Sequence, residues 1–118
     1  MPIFSSQILS GSTGGGAIAV IATASPGTTL HSVATGANIF EDVYLDAYSQ
    51  ATTDRILTTE LGGTATTFRS EHLIPAQGGP IRVMAGHRFQ SATTLVIRAF
   101  ATVTGGLLIG GAVNRATP

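Results

Sequence analysis

The chain has 118 residues, six of them Arg and none Lys, with six acidic residues, three His, no Cys and a formal net charge of +0. That length holds one domain and buries a core without covalent staples. The missing Cys excludes disulfides, thiolate zinc sites and thiol chemistry, and six dispersed Arg form no cationic cluster for a phosphate backbone, so no nucleic-acid partner is expected.

Charged residues make up only 10% of the chain against 43% hydrophobic, where an average soluble domain carries roughly a quarter charged residues. Arg is enriched and Lys depleted at protein interfaces. A surface covered by Ser, Thr, Asn and Gln, with Arg as its cation, is expected to be buried in part against neighbouring protein.

Residues 1–16 end in Ser10-Gly11-Ser12-Thr13-Gly14-Gly15-Gly16, a tract with the composition of a flexible linker. They are expected to form a flexible arm whose tip, Ile3 and Phe4, is apolar. The apolar run Ala17–Ala24 is far short of the roughly 20 residues a membrane helix requires, so no membrane partner is expected. It imitates a secretory signal, but no Lys or Arg precedes it.

From Ala17 onward short Thr-, Val- and Ile-rich segments alternate with Gly or Pro. Strands are predicted over Ala17–Ala24, Thr28–Val33, Phe40–Tyr48, Arg55–Leu61, Thr64–Ile74, Pro80–Ala85, Thr93–Ala101 and Leu107–Asn114. Phe40–Tyr48 alternates most cleanly, with Val43, Leu45 and Ala47 on one face and Tyr44, Asp46 and Tyr48 on the other. No segment keeps a helical period. The expected fold is all-β: a single β-sandwich, jelly-roll or immunoglobulin-like, of about eight short strands over residues 17–118. In Thr93–Ala101 both faces are apolar, Leu95, Ile97 and Ala99 on one and Val96, Arg98 and Phe100 on the other, so both need cover. In a two-layer sandwich one cover comes from a loop, an arm or another subunit. Ile3, Phe4, Val96, Arg98 and Phe100 are therefore the candidate protein-interface residues.

No constellation supports catalysis. A Walker loop needs Lys, and Gly14-Gly15-Gly16 precedes a strand rather than a helix. His31, His72 and His87 lack metal-ligand spacing, so no metal or other cofactor is expected, and a cupin-type site lacks its closely spaced imidazoles. Glu41, Asp42, Asp46, Asp54, Glu60 and Glu71 balance six Arg and read as ion-pair partners rather than a glycosidase pair. Ser10-Gly11-Ser12-Thr13-Gly14 lacks the first Gly of a nucleophile elbow. Tyr44, Asp46 and Tyr48 place two aromatics around an acid on one face, an alternative glycan-binding arrangement, although a subunit contact uses the same residues.

Thr29-Leu30-His31, Glu41-Asp42-Val43-Tyr44-Leu45, Leu61-Gly62-Gly63-Thr64, Ile74-Pro75-Ala76, Val96-Ile97-Arg98-Ala99-Phe100-Ala101 and Gly111-Ala112-Val113-Asn114-Arg115 occur in that order. Between Ser25 and Arg115 the chain thereby resembles small virion proteins of tailed bacteriophages. The resemblance implies a β-sandwich capsid decoration or cement protein, made in the host cytoplasm and carried on the capsid exterior. Its partners would be the major capsid protein and itself, as a homodimer or homotrimer. The alternative is a tail- or neck-associated carbohydrate-binding or adhesin module. No binding residue is carried over from the resemblance.

Overall fold

The computed structural model of the chain describes residues 3–36, 38–63, 68–77, 80–90, 95–103 and 106–118. Its strands are β1 (Ile3–Ile8), β2 (Ile18–Ala19), β3 (Thr28–Ser32), β4 (Phe40–Ser49), β5 (Arg55–Leu61), β6 (Arg69–Ile74), β7 (Ile81–Gln90), β8 (Val96–Ala101) and β9 (Leu107–Thr117). No helix longer than a single turn occurs among the described residues.

The alternation of Phe40–Tyr48 builds β4 at the middle of the first sheet. Glu41, Val43, Leu45, Ala47 and Ser49 are buried, while Phe40, Asp42, Tyr44, Asp46 and Tyr48 face outward and are half-covered. Full burial of Val43 or Leu45 stabilises the fold by about 1.5–3 kcal/mol each. β8 follows the same rule, with Ile97, Ala99 and Ala101 inward and Val96, Arg98 and Phe100 outward.

Two antiparallel sheets pack face to face. One runs β1-β9-β4-β7, with β2 on the same side of β9 as β1; the other runs β3-β8-β5-β6. Counting β1 and β2 as one interrupted strand, the pairs are first with last (β1/β2 with β9), then β3 with β8, β4 with β7 and β5 with β6. One long hairpin, doubled back at β5–β6 and rolled over, produces this order. It is the jelly-roll arrangement; an immunoglobulin sandwich would set a four-strand sheet on a three-strand one with different neighbours. The sequence left those two open, and the pairing decides between them. The core between the sheets includes Leu9, Val20, Leu30, Val43, Leu45, Leu57, Ile74, Ile97, Leu107, Ile109 and Val113.

The expected flexible arm is corrected by the fold. Ile3–Ile8 pair in register with β9, Ile3 opposite Thr117 and Ile8 opposite Ala112. The Gly-rich tract is a tied turn: Ser12 donates backbone and side-chain hydrogen bonds to the Leu9 carbonyl, Gly11 donates to Leu30, and Gly16 to Thr13. Leu9, just before it, is fully buried and anchors the segment. Composition alone cannot distinguish a Gly-rich spacer from a Gly-rich turn whose amides have partners.

Other boundaries shift for local reasons. Of Ala17–Ala24 only Ile18–Ala19 is strand, because β9 offers room for two pairs there before Val20 continues by one further bond to Leu107. β7 runs past the expected Ala85 to Gln90, since Gly86 at φ +75° lies at a register irregularity and not at a turn. β9 continues past Asn114 to Thr117 because β1 and β4 flank it on both sides. The parts of the expected strands at Thr64–Thr67 and at Thr93–Thr94 lie outside the described residues.

Candidate interaction surfaces

The outward face of the first sheet is organised in rows set by register. Phe4, Ala116, Phe40 and Gln90 form one row; Ser6, Asn114, Asp42 and Arg88 the next; Ile8, Ala112, Tyr44 and Ala85 the third. Arg88 holds Asp42 with two hydrogen bonds, at 2.8 and 3.1 Å, and these keep the Asp42 carboxyl below its usual range. The same guanidinium lies 5.8 Å from the centre of the Phe40 ring.

Tyr44, Asp46 and Tyr48 do share this face, as their alternation requires, yet they do not form one open site. Arg82 pairs with Asp46 and stacks its guanidinium 5.5 Å from the Tyr44 ring centre. Gly86 also lies close to the ring: a Cβ there would lie 3.0 Å from the Tyr44 hydroxyl oxygen, and its positive φ disfavours a side chain in any case. Tyr48 lines a shallow cleft of about 360 Å³ together with Ala17, Gln50, Gln77, Pro80 and Leu108.

β1 forms the rim of this sheet. Among the described residues it pairs only with β9, so its other backbone edge is open. Ile3, Phe4 and Ile8 are 63%, 72% and 54% exposed, and the strand Ile3-Phe4-Ser5-Ser6-Gln7-Ile8 carries no charge. Natural edges are usually protected by charge, Pro, a bulge or a covering loop. Sequence reasoning found Ile3 and Phe4 but missed Ile8, which the i, i+2, i+4 spacing Phe4-Ser6-Ile8 would have placed on the same face.

The outward face of the second sheet is partly covered by the chain itself. Glu60 lies opposite Arg98 on that face, yet it is fully buried. The Ser25 hydroxyl donates to its Oε2 at 2.6 Å and the Gly27 amide to its Oε1 at 2.7 Å, so the loop between β2 and β3 lies over it. Arg69 stacks 5.3 Å from the centre of the Phe100 ring. Val96, Arg98 and Phe100 are consequently half-buried, and the loop and Arg69 supply part of the cover that a doubly apolar strand requires. Arg98 has no ion-pair partner among the described residues. Next to this strip Ile56 on β5 lies directly opposite Leu73 on β6, 40% and 64% exposed. The alternation in Arg55–Leu61 and Arg69–Ile74 carried that signal, but neither residue stood out without the pairing.

Between the sheets sits a polar network unrelated to these surfaces. Glu41 accepts from His31 Nε2 at 2.8 Å, from Arg115 Nε at 2.7 Å and from the Ala34 amide at 3.1 Å. Burial pushes the Glu41 carboxyl up, but the bonds from His31, Arg115 and Ala34 together outweigh it and hold the pKa below the ordinary 4.5. Among the described residues no group of three His, Asp or Glu side chains could hold a metal ion. His31, His72 and His87 stand on β3, β6 and β7; His31 is committed to Glu41, and His72 shares a hydrogen bond with Ser70.

Compared with known proteins, the chain matches no family model, and no curated sequence or solved fold is significantly similar to it.

Proposed function

We propose that this protein is a non-catalytic assembly module that binds other protein surfaces, and that its setting is the one its sequence blocks resemble: decoration of a phage capsid by contact with major capsid protein subunits. The observation that carries the reading is the cross-strand pair Ile56–Leu73, exposed on the outward face of the second sheet, a face that also carries half-buried Phe100 and Arg98. Exposed apolar side chains on a face that carries aromatic residues and Arg match the composition of an interface more than that of free surface. A jelly roll hosts capsid and lectin domains as well as enzymes, so the fold by itself does not choose among them.

The experiment is to separate purified particles into heads and tails, locate the chain by mass spectrometry, and measure rebinding of the purified protein to stripped heads. Abundance in heads and loss of rebinding by Leu73→Asp are expected. Absence from heads, or rebinding by that folded variant as strong as wild type, refutes the capsid reading.

A second reading is favoured by the cleft at Tyr48, where an aromatic ring stands near the amides of Gln50 and Gln77. An aromatic platform with amide donors and acceptors suits a sugar ring. A glycan array with Tyr48→Ala as control tests it: binding by wild type alone supports this reading, and no binding by wild type closes it.

A further inference from the structure

We propose that two copies of this chain pair through β1, antiparallel about a two-fold axis at Ser6, joining their first sheets into one continuous sheet. The inference rests on reading this chain as an assembly module, but its observations are those of the β1 edge.

An open edge strand presents unpaired backbone amides and carbonyls, and adding a strand satisfies them. A second copy is the occupant that the side chains of β1 select. For two identical strands related by a two-fold axis normal to the sheet, directly opposed residues must lie on the same face. Centred on Ser6, that pairing places Phe4 of one copy opposite Ile8 of the other on the outward face, and the reverse. These are the two exposed apolar side chains on the outward face of β1. Ser6 faces Ser6 at the axis, and Ser5 faces Gln7 on the other side. Aromatic with β-branched is among the favourable cross-strand pairs. No like charges are brought together, because β1 has none.

The neighbouring rows continue the match. Ser6 already sits beside Asn114, with Ser6 Oγ 3.4 Å from Asn114 Oδ1, so a polar row runs through the axis between the two apolar contacts. Nor does the second sheet overhang the rim: Ile3 and Ser5, on the inward side of β1, are exposed. A six-residue edge falls short of the roughly 1,200 Å² of a standard stable interface. The dimer is therefore weak and concentration-dependent in solution, and strengthened where copies are held on a common surface.

The chain has no Cys, which makes the test direct. Ser6→Cys places two thiols across the axis, within the Cα separation a disulfide accepts. Under mild oxidation it should cross-link to a covalent dimer at least tenfold faster than Gln7→Cys, whose thiols would be offset and on the other face. Sedimentation equilibrium on wild type should show concentration-dependent dimer, lost in Phe4→Lys/Ile8→Lys and restored in Phe4→Glu/Ile8→Lys, where opposite charges face each other. Circular dichroism confirms that each variant is folded. Monomeric wild type up to millimolar concentration, equal cross-linking at both positions, or no restoration by the charge pair would each overturn the proposal. Head rebinding reports separately: a monomeric wild type that still binds heads removes the pairing and leaves the assembly reading, and a dimer that ignores heads does the reverse.

Discussion

His31 and Glu41 meet in the space between the two sheets, Nε2 to Oε1 at 2.8 Å, and the other imidazole nitrogen accepts the Ser10 amide at 3.0 Å. Because Nδ1 accepts a proton bond, Nε2 carries the ring's hydrogen and donates it to the carboxylate. The charge partner of Glu41 is then Arg115, at 2.7 Å. One imidazole thus ties the segment after β1, the strand β3 of the second sheet and the strand β4 of the first.

His31→Leu keeps the volume but strands the Ser10 amide and removes one of the two donors to Glu41 Oε1, which keeps the Ala34 amide. Leaving buried polar groups unsatisfied costs about 1–3 kcal/mol each. A loss of about 1–3 kcal/mol in urea unfolding is expected. A loss under about 0.5 kcal/mol, the range of ordinary surface substitutions, would mean that water replaces the imidazole.

Stability should decline in two stages as pH falls. Burial lowers the His72 pKa below 6.5, so its contribution is complete above that value and declines as pH falls from 6.5 toward the folded-state value. Glu41 is held below 4.5; its contribution is complete above 4.5 and is lost as pH falls through its lower folded-state value. Thermal midpoints from pH 8 to pH 3 check this, with His72→Gln flattening the first stage and Glu41→Gln the second. Unchanged slopes in those variants would assign the acid sensitivity elsewhere.

Gly111 lies at a close approach of β9 to β4. It pairs with Leu45, and a Cβ there would run into the Tyr44 carbonyl. Gly111→Ala forces two central strands apart and is expected to cost about 2–4 kcal/mol, beyond the range of an ordinary exposed substitution. Equilibrium unfolding in urea measures it.

Glu60→Ala releases the loop over the second sheet by removing the acceptor of Ser25 and Gly27. Amide exchange at Gly27 should accelerate at least tenfold, with new proteolytic cleavage between Ala22 and Gly27, while the amides of β4 stay protected. Uniform acceleration across both sheets would instead mark Glu60 as a global determinant.

Where a side chain's face is fixed by strict alternation, the sequence was readable: Val43, Leu45 and Ala47 against Tyr44, Asp46 and Tyr48, and Ile97 and Ala99 against Val96, Arg98 and Phe100, fall as their period dictates. What stayed hidden depends on partners distant in sequence. Ile3–Ile8 is too short and too polar to declare itself a strand before β9 is known to lie beside it. Glu41 and Asp42 are adjacent acids in the sequence, yet one is buried on His31 and Arg115 and the other faces outward on Arg88. The same inward–outward period governs them, but their partners are set by topology. The Ile56–Leu73 pair likewise exists only once β5 and β6 are in register.

The doubled-back hairpin also dictates an order of events. Its innermost pair, β5 with β6, joins segments close in sequence, whereas Ile3 and Thr117 are 114 positions apart. Closing a longer loop costs more chain entropy before any contact is gained. Folding is therefore expected to proceed from the bend outward, through β4–β7 and β3–β8, with β1 docking last. The rim that docks last is also the first to fray, and each time it lifts, the stretch of β9 from Ala112 to Thr117 is left as a bare template. In native-state amide exchange, protection should fall from β5 outward to β1. The strand proposed as a handle for assembly is thus also the latch of the fold.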